Sequence, residues 1–193
     1  SNRQKKKANA LLNRQNEEIE IQKSLIEEKQ TEILDSIHYA KRIQESLLVQ
    51  QKLLQEVLPE SFIFFQPKDI VSGDFYWATK FNGKFYLAIC DSTGHGVPGA
   101  FMSALNITFL SEAINQLGIT DPGKVFNHVR TRLVESISHD GALDGMDGIL
   151  FCFDETKQHV TYAAAYNSPV IIRNGEIIEL KPNKQPIGLF IDA

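Results

Sequence analysis

Two segments of this chain carry acidic side chains beside short apolar runs: Val71-Ser72-Gly73-Asp74-Phe75-Tyr76-Trp77, and Cys90-Asp91-Ser92-Thr93-Gly94-His95-Gly96-Val97-Pro98-Gly99-Ala100-Phe101-Met102-Ser103. Asp91 follows the apolar run 85–90, so its carboxylate is expected where a buried strand surfaces, and the glycine-rich turn after it leads into a helix. Such a place suits a hard cation. Magnesium and manganese prefer carboxylate, carbonyl and water oxygens, and magnesium typically takes one or two carboxylates while keeping several waters. Asp74 and Asp91 meet that requirement as metal ligands. The glycines let the backbone turn tightly, so the Ser92 backbone carbonyl can also face the metal, and amides around Gly94, His95 and Gly96 can face a phosphate. The bland reading stands beside this one. An Asp before a glycine-rich turn is often only a turn former or helix cap, and a His between two glycines is often an ordinary loop histidine.

The elements that must position these residues divide at Pro59. Residues 1–58 contain no Gly and no Pro and are dense in Gln, Glu, Lys, Leu and Ile, so they read as one long helix with room for an interruption. Apolar residues recur every seven positions at Leu12, Ile19, Ile26, Ile33, Ala40, Leu47 and Leu54, the repeat that keeps one seam facing a partner helix in a left-handed supercoil. A homodimer through this N-terminal stalk is the expected consequence. The complementary seam is weak at Gln15, Gln22 and Lys29 and stronger at Ile37, Ile43, Val57 and Leu58, which suits either a plain spacer or a stalk whose pairing responds to an upstream sensor. At ~1.5 Å per residue a helix of about 50 residues spans roughly 75 Å, so it is expected to project or pair.

From residue 59 to 193 the texture changes to short apolar runs broken by Gly, Pro, Asn and Asp, and a globular domain is expected there. Its candidate strands are 62–65, 75–80, 84–90, 148–154, 160–165 and 170–173, with 177–180 closing a hairpin across Asn174-Gly175. Two helices interrupt them, one over about 99–117 and one over about 122–138, the latter opened by Asp121 as N-cap with Pro122 at the first helical position. Helices layered on a mainly antiparallel sheet, an α+β arrangement, follow from this order.

Bulk properties narrow the function. A net charge of −4 provides no general attraction to nucleic acid, and the one dense basic run, Arg3-Gln4-Lys5-Lys6-Lys7, reads as a solvated helix end or as the flank of a membrane span lying upstream. No stretch approaches the roughly 18 unbroken apolar residues of a spanning helix, so no membrane span is expected in the chain. Cys90 and Cys152 lack metal-ligand spacing and read as buried, reduced thiols of a cytoplasmic protein, or of the cytoplasmic part of a membrane-anchored sensor.

Together the two acidic segments resemble the SpoIIE/RsbU-type branch of the metal-dependent (PPM) protein phosphatases, relatives of the eukaryotic type-2C enzymes. Further matches follow in order: Asp144-Gly145-Met146-Asp147 before a strand, Tyr162-Ala163-Ala164-Ala165-Tyr166-Asn167-Ser168-Pro169 in place of the usual Ala-Gly-His-x-Pro, and Pro186-Ile187-Gly188-Leu189. The stalk segment Ile37-His38-Tyr39-Ala40-Lys41-Arg42-Ile43-Gln44 is similar to the helix that precedes this domain in bacterial sensors.

The resemblance covers about residues 59–191 and implies a PPM-like β-sandwich flanked by helices, C-terminally incomplete and preceded by a long coiled-coil helix. It also implies two Mn2+ or Mg2+ ions about 4 Å apart, bridged by a water or hydroxide that attacks phosphorus in line. Asp91 is then the bridging ligand, Asp74 serves the second ion, the Ser92 carbonyl completes that side, and Gly94, His95 and Gly96 lie close to the phosphate. Ser72 and Tyr166-Asn167 depart from the family pattern as tolerable variants. The family's two later metal aspartates are expected beyond Ala193, since Asp192 has no Asp-Gly context. The implied activity is hydrolysis of phosphoserine or phosphothreonine on a bacterial regulatory phosphoprotein, of the anti-sigma-antagonist or partner-switching kind, regulated through the stalk. The alternative is a non-catalytic dimeric signalling module on the same fold; a metal-dependent nuclease fits the ordered motifs poorly.

Overall fold

Phe75 and Trp77 on one strand, and Tyr86, Ala88 and Cys90 on the next, are buried while the residues between them are less so, and this period of two builds the sheet. In the computed structural model of the chain, which describes residues 2–49, 51–137, 143–154 and 158–190, two units are present, Ser1–Ala40 and Lys41–Ala193.

The first unit holds most of α1 (Asn2–Leu47). Along it Leu12, Ile19, Ile26 and Ile33 are 55%, 57%, 64% and 59% exposed, so the heptad seam is an open apolar stripe.

The second unit begins with the end of α1, followed by α2 (Gln51–Val57). The long helix is therefore broken after Leu47. Next come β1 (Phe75–Phe81), β2 (Lys84–Ser92), α3 (Gly96–Ser111), a π-helical turn at Glu112–Gln116, α4 (Pro122–Ile137), β3 (Gly145–Asp154), β4 (His159–Ala165), β5 (Val170–Arg173), β6 (Glu176–Glu179) and β7 (Ile187–Gly188). The main sheet runs β1-β2-β3-β4 in antiparallel order, and β7 pairs with the start of β3 at Gly145 and Met146. Both tight hairpins use an Asn-Gly turn with positive φ at each residue, Asn82-Gly83 and Asn174-Gly175, the geometry that matches strand twist.

Helices α3 and α4 cover one face of this sheet. Ile107, Leu110 and Ile114 from α3 and the π turn, and Val125, Val129 and Leu133 from α4, meet Phe75, Trp77, Tyr86, Ala88 and Leu150 in one core. The helical stretch Gly96–Gln116 is long and apolar enough to cross a membrane by composition, yet its Leu110, Ala113 and Ile114 are fully buried against the sheet, which is the reason for its apolarity. Asp121 caps α4 as expected, its Oδ1 accepting the Lys124 N–H at 2.9 Å.

Two expectations change. Residues 62–65 form no strand: Phe62 and Phe64 are 89% and 83% exposed, Phe65 packs edge-on against Tyr76, and the run has no ladder partner among the described residues. Helix α3 starts at Gly96 rather than near 99, because Pro98 sits in the first turn, where no backbone N–H is needed. Beyond the main sheet, the described residues hold one two-stranded ribbon, β5–β6. Asp192 and the expected helix end at Ser138 lie outside the described residues.

Candidate active site

Strand register brings the acids together. Phe75 pairs with Cys90 and Cys90 with Gly148, all turned to the helix-covered face. Asp74, Asp91 and Asp147 consequently stand side by side at one end of β1, β2 and β3, on the opposite face, with Asp91 and Asp147 as a direct cross-strand pair. The β1–β2 register, continued by one residue, sets Asp74 opposite Asp91. Burial first, then the side chain and charge of the neighbouring Asp91, raise Asp74 above the usual carboxylate range. Asp147 is raised too, first by burial and then by the charge of Asp91.

Asp147 is the residue that sequence reasoning passed over. It was legible only as one acid inside the match Asp144-Gly145-Met146-Asp147. The signal available was an acid at the strand start followed by Gly148 and then an apolar run; its alignment with Asp91 is a matter of register, which one sequence does not state.

The glycines are needed for close approach. A Cβ on Gly73 would lie 2.4 Å from the Gly94 carbonyl oxygen and 2.8 Å from that of Ser92, and a Cβ on Gly99 would lie 2.6 Å from the same Gly94 oxygen. Gly73, Gly94 and Gly99 therefore pack backbone on backbone and clamp the two acidic segments together. The Ser92 carbonyl points at the loop that carries Asp74, while its buried hydroxyl accepts from Asn106 Nδ2 at 2.9 Å.

Gly94 and His95 line a cleft of about 370 Å³ together with Asp91, Asp144, Asp147 and Gly188. Gly96 is not part of that wall. Its open side faces the Asp69 carboxylate, which also accepts or shares the proton of His95 Nδ1 at 2.8 Å. The anion at the start of α3 is thus a side chain of the protein itself, and of Gly94, His95 and Gly96, the first two line the cleft while the third does not. Asp74 opens instead into an adjoining, mainly apolar groove of about 400 Å³ that it shares with Asp91.

One further anchor comes from α1. Gln44, 8% exposed, donates through Nε2 to the Ser72 carbonyl and to Ser103 Oγ, and its Oε1 accepts the Ser72 N–H. Cys90, beside Asp91, is a buried thiol whose pKa is pushed far up, chiefly by burial, so it is no nucleophile.

Crowded, mutually repelling carboxylates with a carbonyl nearby are the donor set of a hard divalent cation that retains water ligands. Among the described residues no group of three or more His, Cys, Asp and Glu side chains converges as a closed metal cage. The residues present fit Mn2+ or Mg2+ held by few protein ligands, and they do not fit structural zinc, which takes four N or S ligands.

The family described as stage II sporulation protein E (SpoIIE) matches residues 82–193. The fold is similar to that of the SiaA-PP2C domain of Pseudomonas aeruginosa, with 31% sequence identity and a TM-score of 0.74 over 82% of the present chain. The chain spans 64% of the length of that protein. The RsbU and RsbW domains of a Mycobacterium tuberculosis protein share the fold at 19% identity and a TM-score of 0.52, over 63% of this chain and 34% of theirs. No curated protein matches the sequence.

Proposed function

Because the chain belongs to the SpoIIE family of PP2C-like phosphatase domains, we propose that it hydrolyses phosphoserine or phosphothreonine on a bacterial regulatory protein with Mn2+ or Mg2+ bound between Asp74 and Asp91. The observation that carries this reading is the Asp74–Asp91 carboxyl pair, brought together at the strand ends by the β1–β2 register, with Asp91 on the cleft that the Gly94-His95 turn lines. Asp91 would hold the ion together with Asp74 and the Ser92 carbonyl. When bound, such an ion neutralises phosphoryl oxygens and lowers the pKa of water, so that no side-chain nucleophile is needed.

The chain's own residues do the rest. Gly94 and His95 bind the phosphoryl group along one wall of the cleft, with the backbone amides held by the glycine clamp. Asp69 fixes the His95 ring through Nδ1 and so holds this side chain at the wall of the cleft. Asp147 adds a third negative charge beside Asp91 and strengthens the preference for a divalent over a monovalent ion.

Residues 1–58 serve as a dimerising stalk below an upstream sensor, and residues 59–193 as the phosphatase domain; both act in the cytoplasm. The open heptad stripe supports dimerisation, and the Gln44–Ser72 contact supports control of the metal site from the end of α1. The non-catalytic reading draws its support from the absence of a closed metal cage among the described residues.

Release of phosphate from a phosphoserine protein with excess Mn2+ separates the two readings. Metal-dependent turnover that falls at least about a hundredfold in Asp91→Asn supports the enzyme, in keeping with the loss of a principal electrostatic contact. No turnover in either protein supports the signalling module.

A further inference from the structure

A second groove of about 400 Å³ lies on the other side of Pro186 from the acidic cleft, between α4, β4 and the segment that leads into β7. Pro186 lines both, so the strip Pro186–Gly188 is the partition between them. The character of the two spaces is opposite. The cleft wall carries Asp91, Asp144 and Asp147, whereas the groove wall carries Arg130 and Lys181 with Asn127, Tyr162 and Gln185, and no acidic residue. Neither cation is ion-paired with a described residue, although the chain as a whole has a net charge of −4. Arg130 is tied to the partition itself, its Nε donating to the Gly188 carbonyl at 3.0 Å.

We propose that this groove docks an acidic segment flanking the phosphoresidue of the protein substrate, with Arg130 and Lys181 as specificity-determining residues. The inference rests on the phosphatase reading of the neighbouring cleft and adds to it the chemistry of the substrate. An extended substrate whose phosphoresidue enters the cleft has to lay one flank across the partition. Acidic flanking residues are repelled by Asp144 and Asp147 on the cleft side and attracted by Arg130 and Lys181 on the groove side, so charge alone fixes which flank goes where. Passing from the middle of the cleft over the strip into the groove covers about two strand spacings of ~4.8 Å, which takes roughly three residues at ~3.3 Å each. The polar side chains Asn127 and Gln185 supply hydrogen bonds to the peptide backbone, and the floor Ala163-Ala164-Ala165 is small enough to let it lie close.

The test compares three fluorescein-labelled phosphoserine peptides in the presence of Mn2+. One carries three glutamates beginning three residues after the phosphoserine, one carries them beginning three residues before it, and one carries glutamines on both sides. Fluorescence anisotropy reads binding without any need for turnover, and phosphate release reads KM and kcat separately.

The wild-type chain should bind one of the two acidic peptides roughly three- to tenfold more tightly than the glutamine peptide, the range that two partly exposed ion pairs supply. That preference should shrink in Lys181→Glu and at 0.5 M salt. Turnover of p-nitrophenyl phosphate, which reaches no groove, should be the same in Lys181→Glu as in wild type. Arg130→Lys should keep the preference and Arg130→Gln lose it; circular dichroism verifies that each variant is folded. Equal affinity of the wild type for all three peptides overturns the docking site, whatever the catalytic result. A preference seen in binding without phosphate release from any substrate upholds the groove and overturns the phosphatase reading instead.

Discussion

Gln44 and Ser72 are joined by paired hydrogen bonds: the Gln44 side chain donates to the Ser72 carbonyl at 2.6 Å and accepts the Ser72 N–H at 3.0 Å. One amide on the end of α1 thereby satisfies both backbone groups of a residue two positions before Asp74, as a neighbouring strand would do. The same Nε2 reaches Ser103 on α3 at 2.8 Å, so three segments meet at a single buried side chain.

Gln44→Leu should therefore cost about 2–4 kcal/mol, because it strands the buried N–H and C=O of Ser72 and removes a donor from Ser103. Urea denaturation measures the loss. Mn2+-dependent phosphate release should fall with it, since the loop that carries Asp74 loses its anchor. A change in stability below about 0.5 kcal/mol, the size of an ordinary surface substitution, contradicts the anchoring role.

Gly73→Ala tests the backbone clamp. Its Cβ would meet two carbonyl oxygens well inside contact distance, so the acidic segments have to separate, and a loss of about 2 kcal/mol or more is expected together with loss of divalent-ion binding. Gly83→Ala is the control. That glycine has φ +70° and nothing within 4 Å of an added Cβ, so the cost is roughly 1–2 kcal/mol of backbone strain with ion binding intact. Equal effects of the two substitutions on ion binding would show that the clamp does not position the acids.

Stability should depend on pH through Asp74 and Asp147. Both are raised in the folded chain, so each binds its proton more tightly when folded than when unfolded. Their contribution to stability is full below the unfolded value near 3.8 and is lost as the pH rises through the folded value. In metal-free protein Asp147→Asn should accordingly raise the melting temperature at pH 7 by about 1–3 °C, a small effect because solvent screens it, and leave it unchanged at pH 3. Calorimetry in the presence of a chelator checks this, and a lower melting temperature at pH 7 contradicts it.

Ile43 and Leu47, both apolar in the sequence, play different parts. Leu47 packs against the core, so Leu47→Asp should cost about 3 kcal/mol, whereas Ile43 is 49% exposed and Ile43→Asp should change stability by less than about 0.5 kcal/mol. An effect of Ile43→Asp on sedimentation as a dimer, with monomer stability unchanged, would place Ile43 in the contact between two stalks.

Local chemistry was legible in the sequence. Asp121-Pro122 announced the start of α4, Asn174-Gly175 announced a hairpin, and Asp74 and Asp91 each stood where an apolar run met a glycine. What depends on pairing between distant segments was not. That Asp147 faces Asp91 follows from the β2–β3 register, that Asp69 takes His95 follows from a loop packing against the start of α3, and neither leaves a periodic trace. The run Phe62-Ile63-Phe64-Phe65 misled for the complementary reason: an apolar, aromatic stretch has strand propensity, but a strand exists only where a partner offers a ladder.

Titration of Mn2+ into the metal-free chain by calorimetry addresses the Asp74–Asp91 pair most directly. Saturable binding is predicted for the wild type, weakened at least about tenfold in Asp74→Asn and in Asp91→Asn, because losing even a supporting partner of a metal ligand commonly costs that much. A wild-type isotherm that both variants reproduce would mean that the ion binds elsewhere and that the paired carboxylates are not its site.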